Sequence, residues 1–235
     1  MNFDSLKLLD IDIEEEQEIL FGKFIELFAQ YNINVNLMST NDISVLYEKH
    51  IYDSLAFNLF AKKYIKATSK RLLDIGTGGG FPSIPLAIIY KDYKITALDS
   101  TNKKIKFIEM IKDTLNLDNL FPVCARAEDF ADNYKNSFDI VTSRAMAELR
   151  IILEYSIPFL KEGGYFIAYK AIKTDEEIKN SENALNKLNA KIIDRIDYQL
   201  PLKNEQKRTL VIIKKEGKTP DIYPRKNGII NKKPL

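Results

Sequence analysis

Apolar residues recur along this chain with two periods, and the change from one to the other divides it. From Glu14 to Tyr31, the residues Leu20, Phe24, Leu27, Phe28 and Tyr31 fall at helical spacing, with acids on the opposite face. Asn32-Ile33-Asn34-Val35-Asn36 interrupts the pattern, because Asn side chains bond to nearby backbone groups and favour turns. A second helix is predicted from Asp42 to about Tyr64, with Ile43, Leu46, Ile51, Leu55 and Leu59 facing inward. At Lys70 the runs shorten. Arg71–Ile75 reads as a buried strand ending at glycines, Pro82–Ile89 as a helix, and Lys94–Asp99 as a strand ending in an acid. A helix carrying Ile105, Ile108, Ile111 and Leu115 follows, then strands over Leu120–Cys124 and Phe138–Thr142, and a helix over Met146–Tyr155 closed by Pro158. Lys161–Gly164 reads as a turn before a strand at Tyr165–Tyr169. Thr174 and Glu177 have the spacing of a capping box for a helix reaching about Leu188. Two last strands, near Lys191–Tyr198 and Arg208–Lys214, have no helix between them and should pair antiparallel.

This alternation predicts an α/β fold with a mostly parallel, doubly wound sheet of about seven strands. A helical extension over residues 1–65 precedes a main domain over 66–235.

Composition narrows the classes. The chain has 235 residues, 45% apolar and 29% charged, enough for one sizeable core and ordinary for a globular protein. No stretch approaches the roughly 18 apolar residues a membrane span needs, and the N-terminus lacks the pattern of a signal peptide. Cys124 is the single cysteine, so no internal disulfide forms and a reducing cytoplasm fits best. The net charge of +2 hides an asymmetry: residues 203–235 hold ten Lys/Arg against three acids, leaving the rest acidic. A basic end suits a polyanionic partner, and a solvated tail explains it equally well. The acidic first 20 residues read as a solvated face turned away from that partner.

The candidate chemistry begins where the first strand ends. In open parallel sheets ligands bind beyond the carboxyl ends of the strands. Gly76-Thr77-Gly78-Gly79-Gly80 stands there, where glycines let the backbone approach a ligand and the next helix offers N–H groups to an anion. Asp99 ends the second strand 19 residues after Gly80, where a carboxylate can accept from ribose hydroxyls. Gly76 and Gly78 match the dinucleotide fingerprint, but Phe81 stands at its last glycine, and no Gly-Lys-Ser/Thr phosphate loop exists. The pattern suits a smaller nucleoside cofactor carrying an amino-acid carboxylate. Asp74, inside the strand, is expected to be buried and to hydrogen-bond the loop.

With these residues in view, the sequence resembles the bacterial 16S ribosomal RNA guanine-N7 methyltransferases, the glucose-inhibited division protein B type. The matching segments are His50-Ile51-Tyr52-Asp53-Ser54-Leu55, Asp74 through Pro85, Leu98-Asp99-Ser100, Arg126-Ala127-Glu128, Thr142-Ser143-Arg144-Ala145 and Tyr223-Pro224-Arg225-Lys226. Asn36-Leu37 matches as well. The resemblance implies a Rossmann-like class I methyltransferase fold, S-adenosyl-L-methionine as cofactor, and methyl transfer to a guanine N7 of 16S rRNA or the small ribosomal subunit. It places cofactor contacts on Gly76, Phe81, Ala127, Glu128 and Arg144, and Gly78, Gly80 and Asp99 join them from the reading of the glycine turn. Lys170-Ala171 departs from the Lys-Gly of many relatives, with a small change in backbone freedom expected.

Guanine N7 has a lone pair and no proton, so no general base is required, and positioning supplies most of the catalysis. The candidates to touch reacting groups are Arg144, Lys170, His50 and Asp53. Arg144, at the ligand edge, can bind a carboxylate, a phosphate or a base, or form a plain surface ion pair. His50, Asp53 and Ser54 share one helix face, either beside the guanine pocket or in a structural role. Lys170, Arg225 and Lys226 are expected on RNA phosphates. Cys124 is expected to pack as a small hydrophobe. No metal site, no membrane contact and a monomer are expected. The competing classes are a non-catalytic rRNA-binding or assembly factor that keeps the fold, and a methyltransferase for a small molecule or protein.

Overall fold

The computed structural model describes residues 3–171, 174–202 and 206–235. The seven strands are β1 (Arg71–Ile75), β2 (Lys94–Asp99), β3 (Leu120–Cys124), β4 (Phe138–Arg144), β5 (Leu160–Lys170), β6 (Ala190–Gln199) and β7 (Lys207–Lys215). They form one sheet in the order β3-β2-β1-β4-β5-β7-β6. The first five run parallel. β7 lies antiparallel between β5 and β6, as the missing crossover helix requires. Strand order therefore reverses between β1 and β4, and the crevice beyond their carboxyl ends is where such a sheet holds ligands.

Helices cover both faces. α1 (Glu15–Val35), α2 (Thr40–Ile43), α3 (Tyr52–Leu55) and α4 (Phe57–Tyr64) precede the sheet. α5 (Ser83–Ile89), α6 (Asn102–Leu115), α7 (Ala127–Tyr134), α8 (Leu149–Ser156), α9 (Thr174–Lys179), α10 (Glu182–Leu188) and α11 (Asn227–Lys232) follow. Side chains alternate across each strand, so Leu72 and Ile140 enter one core while Leu73 and Val141 enter the other. The first core holds α1, α4, α5 and α6, and runs from Phe3 to Ile212. The second holds α7, α8 and α10 and is completed by Tyr223, Ile230 and Leu235. Among the described residues no helix is long and apolar enough to cross a membrane.

Several elements differ from the sequence pattern for local reasons. The long helix expected from Asp42 is broken, with a π turn at Tyr47–Ile51. There the Lys49 carbonyl accepts from Arg144 (3.4 Å) and the His50 carbonyl from the Ser54 hydroxyl (2.6 Å). Wide turns of this kind let side chains engage the backbone. Lys161–Gly164 lies inside β5, where the register against β4 shifts between Phe138 and Ile140 and Gly163 takes a φ of 76°. The helix expected from Thr174 to Leu188 breaks at Asn180-Ser181. Thr174 starts α9 with its hydroxyl on the Ala171 carbonyl, and Glu177 reaches away to Leu149, so no capping box forms. Cys124 is exposed at the end of the edge strand β3, which also tolerates Pro122.

The C-terminal segment packs against the second core. Lys203 and Glu205, counted in the basic tail, lie outside the described residues.

Candidate functional site

Two cavities meet beyond the carboxyl ends of β1 and β4. The smaller, about 320 Å³, is lined by Ile75 and Gly76 at the end of β1, Leu98 to Thr101 at the end of β2, and Ala125 to Glu128 after β3. The larger, about 470 Å³, lies against β4, β5 and the helical extension, with His50, Asp53, Arg144, Lys170 and Glu177 in its walls. Ala145 and Met146 line both and form the partition between them.

The glycine turn has the conformation its sequence suggests. Gly76, Gly78 and Gly80 all take positive φ, which residues with a Cβ rarely adopt. At Gly80 a Cβ would also fall 2.2 Å from Ile84 Cδ1, so α5 packs directly on the turn. The Gly78 N–H donates to Asp99 Oδ2 (3.0 Å), which ties the loop to the end of β2. Asp99 Oδ1 accepts from the Thr101 N–H (2.9 Å), and Lys104 Nζ stands 3.4 Å from Oδ2. A carboxylate offers about four lone-pair positions; the two N–H bonds and Lys104 take three, so one remains on Oδ1, and a second opens where a hydroxyl displaces the long Lys104 contact. Ile75, Leu98 and Ala127 give apolar walls, and Glu128 is half-buried beside them. A nucleoside bearing a diol fits this donor and acceptor set, with Gly76 as the floor.

Asp74 is fully buried between the turn and β4. The Thr142 hydroxyl donates to its Oδ1 (3.1 Å) and its Oδ2 makes no hydrogen bond. Burial raises its carboxyl to about 6, opposed by the nearby Thr77 and Thr142 hydroxyls.

The larger cavity is organised by Arg144. Its Nη1 donates to Asp53 Oδ2 (3.0 Å) and its Nη2 to His50 Nδ1 (2.9 Å). Its guanidinium lies 5.3 Å from the centre of the Phe81 ring, a cation–π contact. Asp53 is buried and its Oδ1 accepts from the Tyr198 hydroxyl (2.5 Å). Because Arg144 only donates, His50 Nδ1 is the acceptor and the proton sits on Nε2. Burial, then the positive charge of Arg144, pushes His50 down to about 3, so the ring is neutral at ordinary pH. Lys170 Nζ pairs with Glu177 Oε2 (2.6 Å) and donates to the Ala147 carbonyl (2.8 Å), while Glu177 also accepts from Leu149 N–H at the start of α8.

The structure thus brings Gly76, Asp99, Ala127 and Glu128 around the smaller cavity, and His50, Asp53, Arg144 and Lys170 around the larger. Gly78, Gly80 and Phe81 line neither cavity. Phe81 is packed between Phe24 (5.6 Å) and Phe28 (5.5 Å) of α1, with His50 and Arg144 on its other side. Arg225, expected on RNA, binds the fully buried Glu154: its backbone N–H, Nε and Nη2 donate at 2.9, 2.7 and 2.6 Å. A lone buried carboxylate on α8 needs that partner. Lys226 is exposed. Sequence reasoning missed Met146, Tyr155 and Asn227 as lining residues. Met146 lies in the loop after β4, Tyr155 in α8 and Asn227 in α11, and they carry no local signal, since they reach the cavity only through the tertiary fold.

Known proteins resemble this chain along most of its length. The profile of the GidB family, rRNA small subunit methyltransferase G, matches residues 17–211. A protein called ribosomal RNA small subunit methyltransferase G from Streptococcus thermophilus (strain CNRZ 1066) is 43% identical over 98% of this chain and 97% of its own. One of the same name from Streptococcus uberis is 41% identical over 99% and 98%. Among solved structures, M. jannaschii TYW2 in complex with AdoMet superposes with a TM-score of 0.53 at 19% identity, covering 65% of this chain and 72% of that one. A putative sarcosine dimethylglycine methyltransferase from Galdieria sulphuraria gives 0.52 at 12%, covering 77% and 89%. These two likenesses establish the class I methyltransferase fold alone.

Proposed function

The chain belongs to the rRNA small subunit methyltransferase G family, and from that premise we propose that it methylates N7 of a guanine in 16S rRNA with S-adenosyl-L-methionine. The observation that carries the proposal is the pair of cavities sharing the Ala145–Met146 wall, one fitted to a nucleoside and the other large enough for a base. The sulfonium supplies an electrophilic methyl group when bound. Guanine N7 has a lone pair and sheds no proton, so the chain need only align the two partners and exclude water.

Within this reading Asp99 holds the ribose hydroxyls, while Ala127 and Glu128 take the adenine end and Gly76 lets the cofactor approach the backbone. Gly78 and Gly80 shape that turn, and Phe81 supports Arg144 from below. Arg144, held by Asp53 and His50, presents a fixed cation to the acceptor cavity, where Lys170 also faces the RNA. Neutral His50 acts as an orienting acceptor and not as an acid. Lys226 meets RNA phosphates. The division into an extension, residues 1–65, and a catalytic unit, 66–235, belongs to the same proposal. Because both share the first core, the extension is a wall of the site and not an independent domain. The substrate is 16S rRNA, free or in the small subunit, which puts the enzyme in the cytoplasm, and we take it as a monomer.

Deleting the gene and mapping N7-methylguanine in the rRNA by borohydride–aniline cleavage tests the reaction. One cleavage site should vanish and return with the complementing gene. Survival of every site defeats the proposal.

A further inference from the structure

The basic C-terminal segment also reaches the smaller cavity. Asn227, the first residue of α11, lines it together with Tyr155 of α8, Ala127 and Glu128. What brings the segment there is a staple two residues earlier. Arg225 commits three donors to Glu154, whose carboxylate is fully buried one residue before Tyr155. A second anchor is apolar, with Tyr223, Ile230 and Leu235 buried in the second core. Held from both sides, Asn227 accepts the Tyr155 hydroxyl on Oδ1 at 2.7 Å. Asn231 Nδ2 also donates to that oxygen and to the Asn227 carbonyl. With Oδ1 occupied, what the amide has left for a ligand is its Nδ2, a two-proton donor.

We propose that Asn227 is a cofactor-selecting residue: stapled by Arg225–Glu154, its amide donates to a ring nitrogen of the adenine. The inference rests on the smaller cavity being the cofactor site. The chemistry suits the position. Adenine presents bare ring nitrogens as acceptors, and Glu128 on the same wall is an acceptor for its exocyclic amino group. A donor and an acceptor side by side match adenine and mismatch a base that carries a carbonyl and a ring N–H in their place. The same staple explains why a segment rich in Lys and Arg folds back against the sheet: its arginine is needed to neutralise a carboxylate that the second core buries.

The test uses the full chain and two probes, S-adenosylhomocysteine and 5′-methylthioadenosine, the second lacking the amino-acid end. Titration calorimetry of Asn227→Ala should show both affinities lowered by about tenfold, the loss of one well-placed hydrogen bond. The melting temperature without ligand should fall only slightly, by the loss of an acceptor for Tyr155 and Asn231. Asn227→Asp keeps the acceptor for Tyr155 and replaces the donor, so it should lose as much or more, and it decides the matter if the alanine variant melts early. Tyr155→Phe should weaken both probes by a smaller factor. If Asn227→Ala and Asn227→Asp bind both probes as the parent does while Asp99→Ala does not bind them, the tail is packing alone and the inference is wrong. If Asp99→Ala also binds normally, the cavity itself has been misassigned and the proposed function loses its cofactor site.

Discussion

Arg144 cannot be exchanged for the other long cation. Its planar fork meets Asp53 and His50 with separate nitrogens while its face lies on Phe81, and an ammonium is a point charge with no face to stack. Arg144→Lys should therefore leave Asp53 partly uncompensated, lower stability by about 2 kcal/mol in urea denaturation, and reduce methyl transfer to RNA by about tenfold or more. His50 adds a pH signature. Its pKa is near 3 in the folded chain against an ordinary 6.5, so between those values the unfolded chain binds a proton that the folded chain refuses. Stability from this group rises with pH across that window and is level above it. His50→Asn keeps an acceptor for Arg144 and has nothing to titrate. The parent should lose ground to this variant as the pH falls from 6.5, by at most about 1.4 kcal/mol per unit, read from denaturation curves at stepped pH.

Among the elements, β7 ends in a fully buried lysine. Lys215 Nζ donates to Asn136 Oδ1 (2.7 Å) and to the carbonyls of Leu160 (2.8 Å) and Ile157 (3.4 Å), gathering the start of β5 and the 3₁₀ turn Ile157–Phe159. Burial lowers its pKa to about 8. Lys215→Met fills the same space and strands those oxygens, so thermal and urea denaturation should show a loss of roughly 2–3 kcal/mol. The strands themselves were legible because each pairs a short apolar run with a turn signal, and for the same reason Gly76 and Asp99 marked the two strand ends that line the smaller cavity. The breaks were not. A π turn at Tyr47–Ile51 depends on a guanidinium 95 positions away, a relation no window of sequence contains. The bulge at Lys161–Gly164 depends on how β4 meets β5. Cys124 looked apolar by its neighbours and is exposed because β3 is an edge. Phe81 read as a cofactor contact by resemblance, and its packing against Phe24 and Phe28 of α1 carried no local signal.

At the scale of the whole molecule, charge and packing separate two neighbouring residues that the sequence treats alike. Arg225→Ala should lower the melting temperature, since it uncovers Glu154. Lys226→Ala should leave the melting temperature alone, weaken binding to rRNA, and reduce the slope of log affinity against log salt by about 0.7–0.9 in a filter-binding series. The acidic extension and the sheet likewise form one body through the first core, so removing the extension would expose that core and open one side of the larger cavity. Phe81 makes this union mechanical: it touches Phe24 and Phe28 on one side and bears the Arg144 guanidinium on the other. Spontaneous mutants selected for loss of methylation should accordingly cluster at two addresses, the ligand crevice and the inner stripe of the first long helix, where a smaller side chain lets the arginine's seat sag without touching any ligand.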